Sequence, residues 1–406
     1  MGSAPRGEDG DIYVPSEVAR GAAREGQRVR VGGRVDRGTG GLRLADAFAA
    51  IDFDLPEDAV APGLLAVIEG TWLERRLIGC AVLERQAPSA RPLEFERLLH
   101  QGTGCRLQLR ARVFAEVRSF FAERGFLELD TPLWSSECGT ETHVEPVPCG
   151  DGYLITSPEL HMKRLLVGGV FKSFQIAHCF RAGERGPLHS PEFLLLEWYR
   201  AFSGYTAVMR DTEELLHALC KAVSSSSLVR LHDGRELDLT PPFERLSVRE
   251  AFARFADVAD AAALAAADED SYFQLLVDRV EPALARLPRP VFLYDYPASQ
   301  AALARISPSD PSVAERFELY AGGIELCNGY GELNAADEQR ARCELERTRR
   351  RELGRHVPAI PVRFLGALEQ GMPRAGGNAL GLDRVIAILS GASRIDAVRA
   401  FPDGEA

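Results

Sequence analysis

Hydrophobic and polar positions change rhythm several times along the chain, and each change predicts a different kind of element. At 192–200 the sequence EFLLLEWYR is apolar on both faces of an extended chain, as expected of a central strand covered on both sides. Just before it, KSFQIAHCFR (172–181) alternates, with Phe174, Ile176 and Phe180 directed inward and Gln175, Cys179 and Arg181 on the other face. PVFLYDYP (290–297) and GIELCNGYGEL (323–333) predict two further strands, and FLELDTP (126–132) one that ends before Pro132. Leu109, Val113, Val117, Phe120 and Phe121 recur at helical spacing, with Gly125 as a stop. SPELHMKRLLVGG (157–169) predicts a helix with Ser157 as N-cap, Pro158 in the first turn and Gly168 at its end. An alanine-rich helical stretch runs from about Ser247 to Leu287, a charged surface helix covers 337–354, and GNALGLDRVIAILSG (377–391) turns from a glycine-rich strand straight into a helix.

The N-terminal rhythm is different. After a polar tail (1–26), short alternating runs from 27 to 86 are separated by Gly, Asp and Pro, as in a small all-β, OB-like module. In RVRVGGRV, Val29, Val31 and Val35 form the buried face and Arg28, Arg30 and Arg34 the outer one. A linker (87–104) leads into a second domain (105–406) whose strands, joined through long helical excursions, predict an α+β fold around an antiparallel sheet.

Composition narrows the function. The 406 residues carry 48 basic and 59 acidic side chains, net −11, which excludes an obligate nonspecific nucleic-acid binder but not a local basic patch. The eight cysteines show no C-x-x-C and are expected to be buried, reduced thiols; they, His161 and His178 are read as structural. No signal-peptide layout and no membrane-length apolar run is present, so a cytoplasmic location is expected. Neither G-x-G-x-x-G nor G-x-x-x-x-G-K-[ST] occurs, so a bound nucleotide would have to be held by side chains on a sheet.

The candidate chemistry lies where charge interrupts apolar runs. FRAGERGPLHSPEF (180–193) crowds Arg181, Glu184, Arg185 and His189 into one turn between two strands, more charge than a hairpin needs. Glu197 with Tyr199, then Glu325, Asn328 and Glu332, then Arg384 after Gly381, lie on elements that otherwise read as buried. Taken singly, each is as well explained by an internal salt bridge. Together, two arginines and several carboxylates on one sheet suit a polyphosphate with Mg²⁺. Glu159, in the first turn of its helix, either complements the helix dipole or receives an ammonium group.

RGFLELDTP, FRAGERGPLHSPEFLLLEWYR and GNALGLDRVIAIL resemble motifs 1, 2 and 3 of class II aminoacyl-tRNA synthetases of the lysyl type. TSPELHMKRLL, YPASQAALARIS, VAERFELYAGGIELCNGYGEL and GMPRAGGNALGLDR resemble more closely the elongation factor P–β-lysine ligase family, and the likeness runs from about Cys105 to Pro402. The resemblance implies a six- or seven-stranded antiparallel sheet, a homodimer built through motif 1, ATP with Mg²⁺, lysine or β-lysine as substrate, and elongation factor P as acceptor. It places Arg181, Ala182, Gly183, Glu184, His189, Ser190, Glu325, Leu326, Gly381 and Arg384 around ATP, with Arg181, Arg384 and Glu325 catalytic and Glu325 also on the metal. Arg181 would contact the α-phosphate, Arg384 the γ-phosphate, and Gly381 would lie under the adenine or ribose. Ser157, Pro158, Glu159, Tyr199, Asn328 and Glu332 match the substrate positions.

Two departures qualify the match. The motif 2 pattern F-R-x-E has Gly183 at its glutamate position, with Glu184 one residue later and the loop length unchanged. The N-terminal module resembles the OB-fold of lysyl-tRNA synthetases but is short, with Trp72 and Phe53 its few candidates for base stacking. Two other readings therefore stay open: an enzyme charging tRNA, and an inactive paralogue that binds or regulates.

Overall fold

The computed structural model describes residues 11–56 and 58–402. The chain divides into two compact units, Met1–Gln108 and Leu109–Ala406.

The first unit is a closed barrel. Strands β1 (Arg28–Gly38), β2 (Gly41–Ala45), β3 (Ala50–Phe53), β4 (Leu65–Leu73) and β5 (Arg76–Gln86) run in the order β1-β2-β3-β5-β4, and β4 pairs back onto β1. Only the β3–β5 pairing within this ring is parallel. Val29, Val31 and Val35 fill the interior as their alternation predicts, with Leu44, Ile68 and Leu77. Arg28 and Arg30 share Glu69 on β4 at 3.0 and 3.1 Å, so part of the basic face is neutralised internally. Trp72 and Phe53 are core residues, 7 % and 6 % exposed, and cannot present a ring to a base.

The expected polar tail is structured from residue 11 on. Ile12–Tyr13 pairs with β1, Pro15–Ala19 is a helical turn, and Val18 is buried; residues 1–10 lie outside the described set. The expected linker likewise carries helical turns, at Leu93–Phe95 and Glu96–His100.

The second unit is built on an eight-stranded sheet, larger than the six or seven strands expected. In chain order these are β6 (Leu127–Glu128), β7 (Lys172–Phe180), β8 (Glu192–Ala201), β9 (Glu244–Ser247), β10 (Val291–Pro297), β11 (Val313–Ala321), β12 (Ile324–Gly331) and β13 (Ala375–Gly381). Their order is β9-β10-β11-β12-β13-β8-β7-β6. The middle six are antiparallel, while β9 and β6 add in parallel at the two edges, so the sheet is not wholly antiparallel. Of FLELDTP, Leu127 and Glu128 pair with β7, and the Leu129 amide donates to the Phe174 carbonyl at 2.8 Å. No apolar alternation singles out β11, AERFEL, which carries charge on its cleft face.

Register separates the two faces of this sheet cleanly. One row reads Ile176, Leu196, Leu380, Cys327 and Leu319 from β7 across to β11; the adjacent row reads Gln175, Glu197, Ala379, Asn328 and Glu318. The apolar face packs under helices α1 (Thr103–Glu123), α3 (Tyr205–Ser224) and α5 (Leu382–Ser390), with Phe121 stacked 4.7 Å from Phe174 and 5.4 Å from Trp198. Full burial of each such ring contributes about 2–3 kcal/mol. Helix α2 (Glu159–Val167) lies with Val362–Leu368 on the other side, near Tyr199. It begins one residue later than expected: Pro158 is the N-cap, and the Ser157 hydroxyl instead accepts from the Glu159 amide at 3.0 Å.

Helix α4 (Ala336–Glu352) is charged as expected but is not only a surface helix, since Arg350 is fully buried. The cysteines are all free, but Cys105 and Cys149 are exposed and Cys80 half-buried, so burial holds for five of the eight. No helix among the described residues is long and apolar enough to cross a membrane.

Candidate active site

Charge on the polar face of the sheet is sorted by row. At the turn between β7 and β8, and at the β13–α5 junction, the groups are mainly cationic. Arg384, at the start of α5, donates to the Glu325 carbonyl at 2.7 Å and to His189 Nε2 at 2.8 Å, and lies 3.7 Å from the Glu325 carboxylate. Arginine only donates, so His189 Nε2 must hold a lone pair and the ring is neutral. Burial and the neighbouring Arg384 lower the His189 pKa, in keeping with that state.

Arg181 is held loosely. Its guanidinium lies 3.7 Å from Glu184 and 5.0 Å from the Phe193 ring, and its Nε is buried without a protein partner. A buried donor left open is costly unless a ligand or water fills it. Glu325 opens onto the same cleft, and burial beside Glu318 pushes its carboxyl up to about 7 against the pull of Arg384. Leu326 and Gly381 line this end with it, and the turn is closed by Ser190, which accepts from Arg399 at 2.6 Å.

Gly183 answers the question raised by motif 2. Its φ is +78°, a left-handed conformation in which a glutamate side chain would be strained. Glu184, the next residue, lines the cleft beside Arg181. The Ala182 amide donates to the Glu145 carbonyl at 2.8 Å, and Arg185 is exposed on the turn.

Farther along β8 and past the end of β12, the sign reverses. Glu197 accepts from Ser157 Oγ at 2.7 Å and from the Tyr199 hydroxyl at 2.5 Å. Lys163, fully buried on α2, forms ion pairs with Glu159 and, at 2.6 Å, with Glu332. Burial and the charge of Glu159 push the Glu197 carboxyl up to about 8, and burial pushes Glu332 up to about 7 despite Lys163. The pocket thus holds more acidic groups than Lys163 alone can neutralise, and in the empty protein protons make up the difference. Its floor is Gly377: a Cβ there would come 2.3 Å from Glu332 Oε1 and 2.4 Å from the Tyr199 ring. Only glycine lets both side chains lie over the strand.

Between the two ends the floor holds further open polar atoms, Gln175 Oε1 and Asn328 Oδ1, both buried and without a protein partner. Asn328 Nδ2 approaches Glu318 at 3.4 Å, and Glu318 is fixed by Arg316 and the Tyr296 hydroxyl, each at 2.6 Å. A wall segment, 141–145, is pinned by Arg350, which donates to the Glu141 carbonyl at 2.7 Å and the Val144 carbonyl at 3.0 Å and pairs with Glu145 at 2.6 Å.

The structure therefore gathers the sequence-derived candidates on one face, Arg181, Glu184, His189, Glu325 and Arg384 at one end, Ser157, Glu159, Tyr199 and Glu332 at the other. Lys163, Glu318 and Arg350 are not among the site residues expected from the sequence. For Lys163 a signal existed, since it stands four residues after Glu159 on one helix face.

Comparison with known proteins identifies the family. The family model described as tRNA synthetases class II (D, K and N) matches residues 94–405. The chain is 41% identical over 308 residues to elongation factor P--(R)-beta-lysine ligase of Proteus mirabilis, covering 72% of this chain and 93% of that protein. It is 40% identical over 312 residues to the ligase of the same name from Yersinia enterocolitica, covering 73% of this chain and 94% of that protein. With that of Vibrio cholerae the figures are 39% over 308 residues, 73% and 94%.

Proposed function

The chain belongs to the class II (D, K and N) tRNA synthetase family and groups there with the elongation factor P--(R)-beta-lysine ligases, and we propose that it activates lysine or β-lysine with ATP and transfers it to a lysine side chain of elongation factor P. The observation that carries this reading is the sorting of charge along one sheet face, cations at one end and surplus carboxylates at the other.

At the cationic end, Arg181 is the residue for the α-phosphate, its buried Nε waiting for an acceptor, and Arg384 is the residue for the γ-phosphate. Glu184 takes the adenine contact that Gly183 cannot make. At the anionic end Glu159, Glu332 and Tyr199, with Ser157, Pro158 and Asn328, receive the amino groups. The substrate carboxylate then lies toward Arg181. It attacks the α-phosphorus, pyrophosphate departs, and the guanidinium stabilises charge on the phosphoryl oxygens. An acceptor amine that has lost its proton attacks the acyl carbon, and AMP leaves.

Mg²⁺ fits as an ion carried largely by the phosphates, where it would neutralise charge; Glu325 is the carboxylate placed for it. No group of three or more His, Cys, Asp or Glu that could hold a metal occurs among the described residues. A homodimer through the segment around β6 accords with the exposed Leu127, Leu133 and Trp134 there. An N-terminal barrel favours the tRNA-charging alternative, but Trp72 and Phe53 are sealed inside it.

The test is ATP–pyrophosphate exchange with lysine and β-lysine, followed by label transfer to elongation factor P or to bulk tRNA. Exchange with a diamino acid and label on the factor is the expected result. Label on tRNA alone makes the alternative correct, and no exchange with any amino acid overturns both.

A further inference from the structure

Lys163 is the one lysine in the carboxylate pocket, and nothing in the reaction just described uses it. It comes from α2, has no exposed surface, and lies between Glu159 on its own helix and Glu332 beyond β12. Its Nζ is 5.9 Å from the centre of the Tyr199 ring. The Glu332 contact is close enough for an ion pair but is not aligned as a hydrogen bond at Oε2, so that oxygen keeps its capacity to accept.

A purely structural role is a poor account of this arrangement. A buried ion pair stabilises little, and well-packed apolar residues serve a fold equally well. One ammonium between two carboxylates, with Glu197 a third nearby, leaves negative charge uncompensated at a site that has been taken out of water. In the empty pocket such an excess is relieved by proton uptake, in keeping with the raised Glu197 and Glu332 carboxyls, and an arriving cation takes the place of those protons.

The geometry points to Lys163 as a positioning residue that fixes Glu159 and Glu332 on one nitrogen, so that the pocket is pre-formed for the ammonium groups of a diamino acid. This inference rests on the functional reading above. The charged and titratable groups facing this centre are Glu159 on α2, Glu332 and Tyr330 from β12 and its end, and Glu197 and Tyr199 on β8. All but Lys163 are acids, and Lys163 lowers the Glu197 and Glu332 carboxyls, so removing it makes those two harder to ionise.

The test compares wild type with Lys163→Met and Lys163→Arg in ATP–pyrophosphate exchange across pH, with lysine and β-lysine. For Lys163→Met the expected result is a KM for the diamino acid raised at least ~30-fold, as for loss of a charged hydrogen-bonding partner, with the KM for ATP nearly unchanged. The acid limb of kcat/KM for the diamino acid should move up by about one pH unit. Lys163→Arg keeps the charge and should keep the limb near its wild-type position while KM rises severalfold. A folded Lys163→Met with wild-type KM and pH limb overturns the inference and leaves the functional reading standing. If Lys163→Met does not fold, Lys163→Arg decides: an unchanged KM overturns the positioning role. Wild-type enzyme without exchange on either diamino acid takes down the functional reading and this inference together.

Discussion

The two ends of the cleft share one sheet face yet differ in how their charges are restrained. At the arginine end the cations are held by the Glu325 and Leu188 carbonyls, a neutral imidazole and carboxylates no closer than 3.7 Å. At the carboxylate end the charges are locked, with Lys163, Ser157 and Tyr199 all engaging Glu159, Glu197 or Glu332 at short range. The difference matches what each end is asked to do. Phosphates shift position and charge during phosphoryl transfer, so their ligands gain from slack. An amino acid must be told from its analogues before any chemistry, which calls for rigidity.

The largest expected effect breaks the loose end. Arg181→Ala should lower exchange by about 10³-fold, some 4 kcal/mol of transition-state stabilisation, with thermal unfolding unchanged because Arg181 is only weakly engaged in the empty protein. A fall confined to KM for ATP would show that Arg181 binds substrate without acting in the transition state. Next comes the locked end: Glu332→Gln should raise KM for the diamino acid ~10–100-fold and leave KM for ATP alone, as steady-state kinetics will read.

The third prediction uses pH. Glu197 and Glu332 have folded values of about 8 and about 7 against 4.5 for the ordinary glutamate. The folded chain therefore holds protons that the unfolded chain has released between these values. Stability is present below 4.5 and is lost as pH rises through 7 and 8. The melting temperature of the empty protein should drop across that window, and added lysine should restore it at the alkaline side. Exchange activity should move the opposite way, rising as the carboxylates ionise. A melting temperature that rises with pH from 5 to 8 would contradict the buried-carboxylate account. The smallest effect returns to the arginine end: Glu184→Ala should raise KM for ATP only about threefold, because its partner is distant and partly screened.

How far the sequence carries differs between the same two ends. Arg181, His189 and Arg384 were legible because they interrupt apolar runs inside short, recognisable motifs. Glu197 stood out for the same reason, inside a strand apolar on both faces. Lys163 did not, because a lysine on an amphipathic helix reads as solvated until register brings Glu332 beside it. Arg350 failed in the same way: in a helix with arginine at 347, 349, 350 and 351, nothing local marks the one that turns inward. Strand β11 was missed as an element, since Glu315, Arg316 and Glu318 make a cleft-facing strand look like a surface one. The sheet's edges were misjudged because parallel addition of two- and four-residue strands leaves no periodic trace. Burial of Trp72 is likewise a consequence of barrel closure, which no single strand announces.

Arg350 sets one more condition, on when the protein becomes competent as it is made. The 141–145 segment that seats Ala182 is held by Arg350, and the far side of the same turn is tied by Ser190 to Arg399 and by the Pro187 carbonyl to the Ile395 amide at 2.9 Å. A chain leaving the ribosome has the whole ATP-facing turn in hand long before it has the residues that fix its shape. The grip on nucleotide is thus completed only once Arg399 has been made, and a nascent chain stalled before residue 399 should carry the motif without the activity.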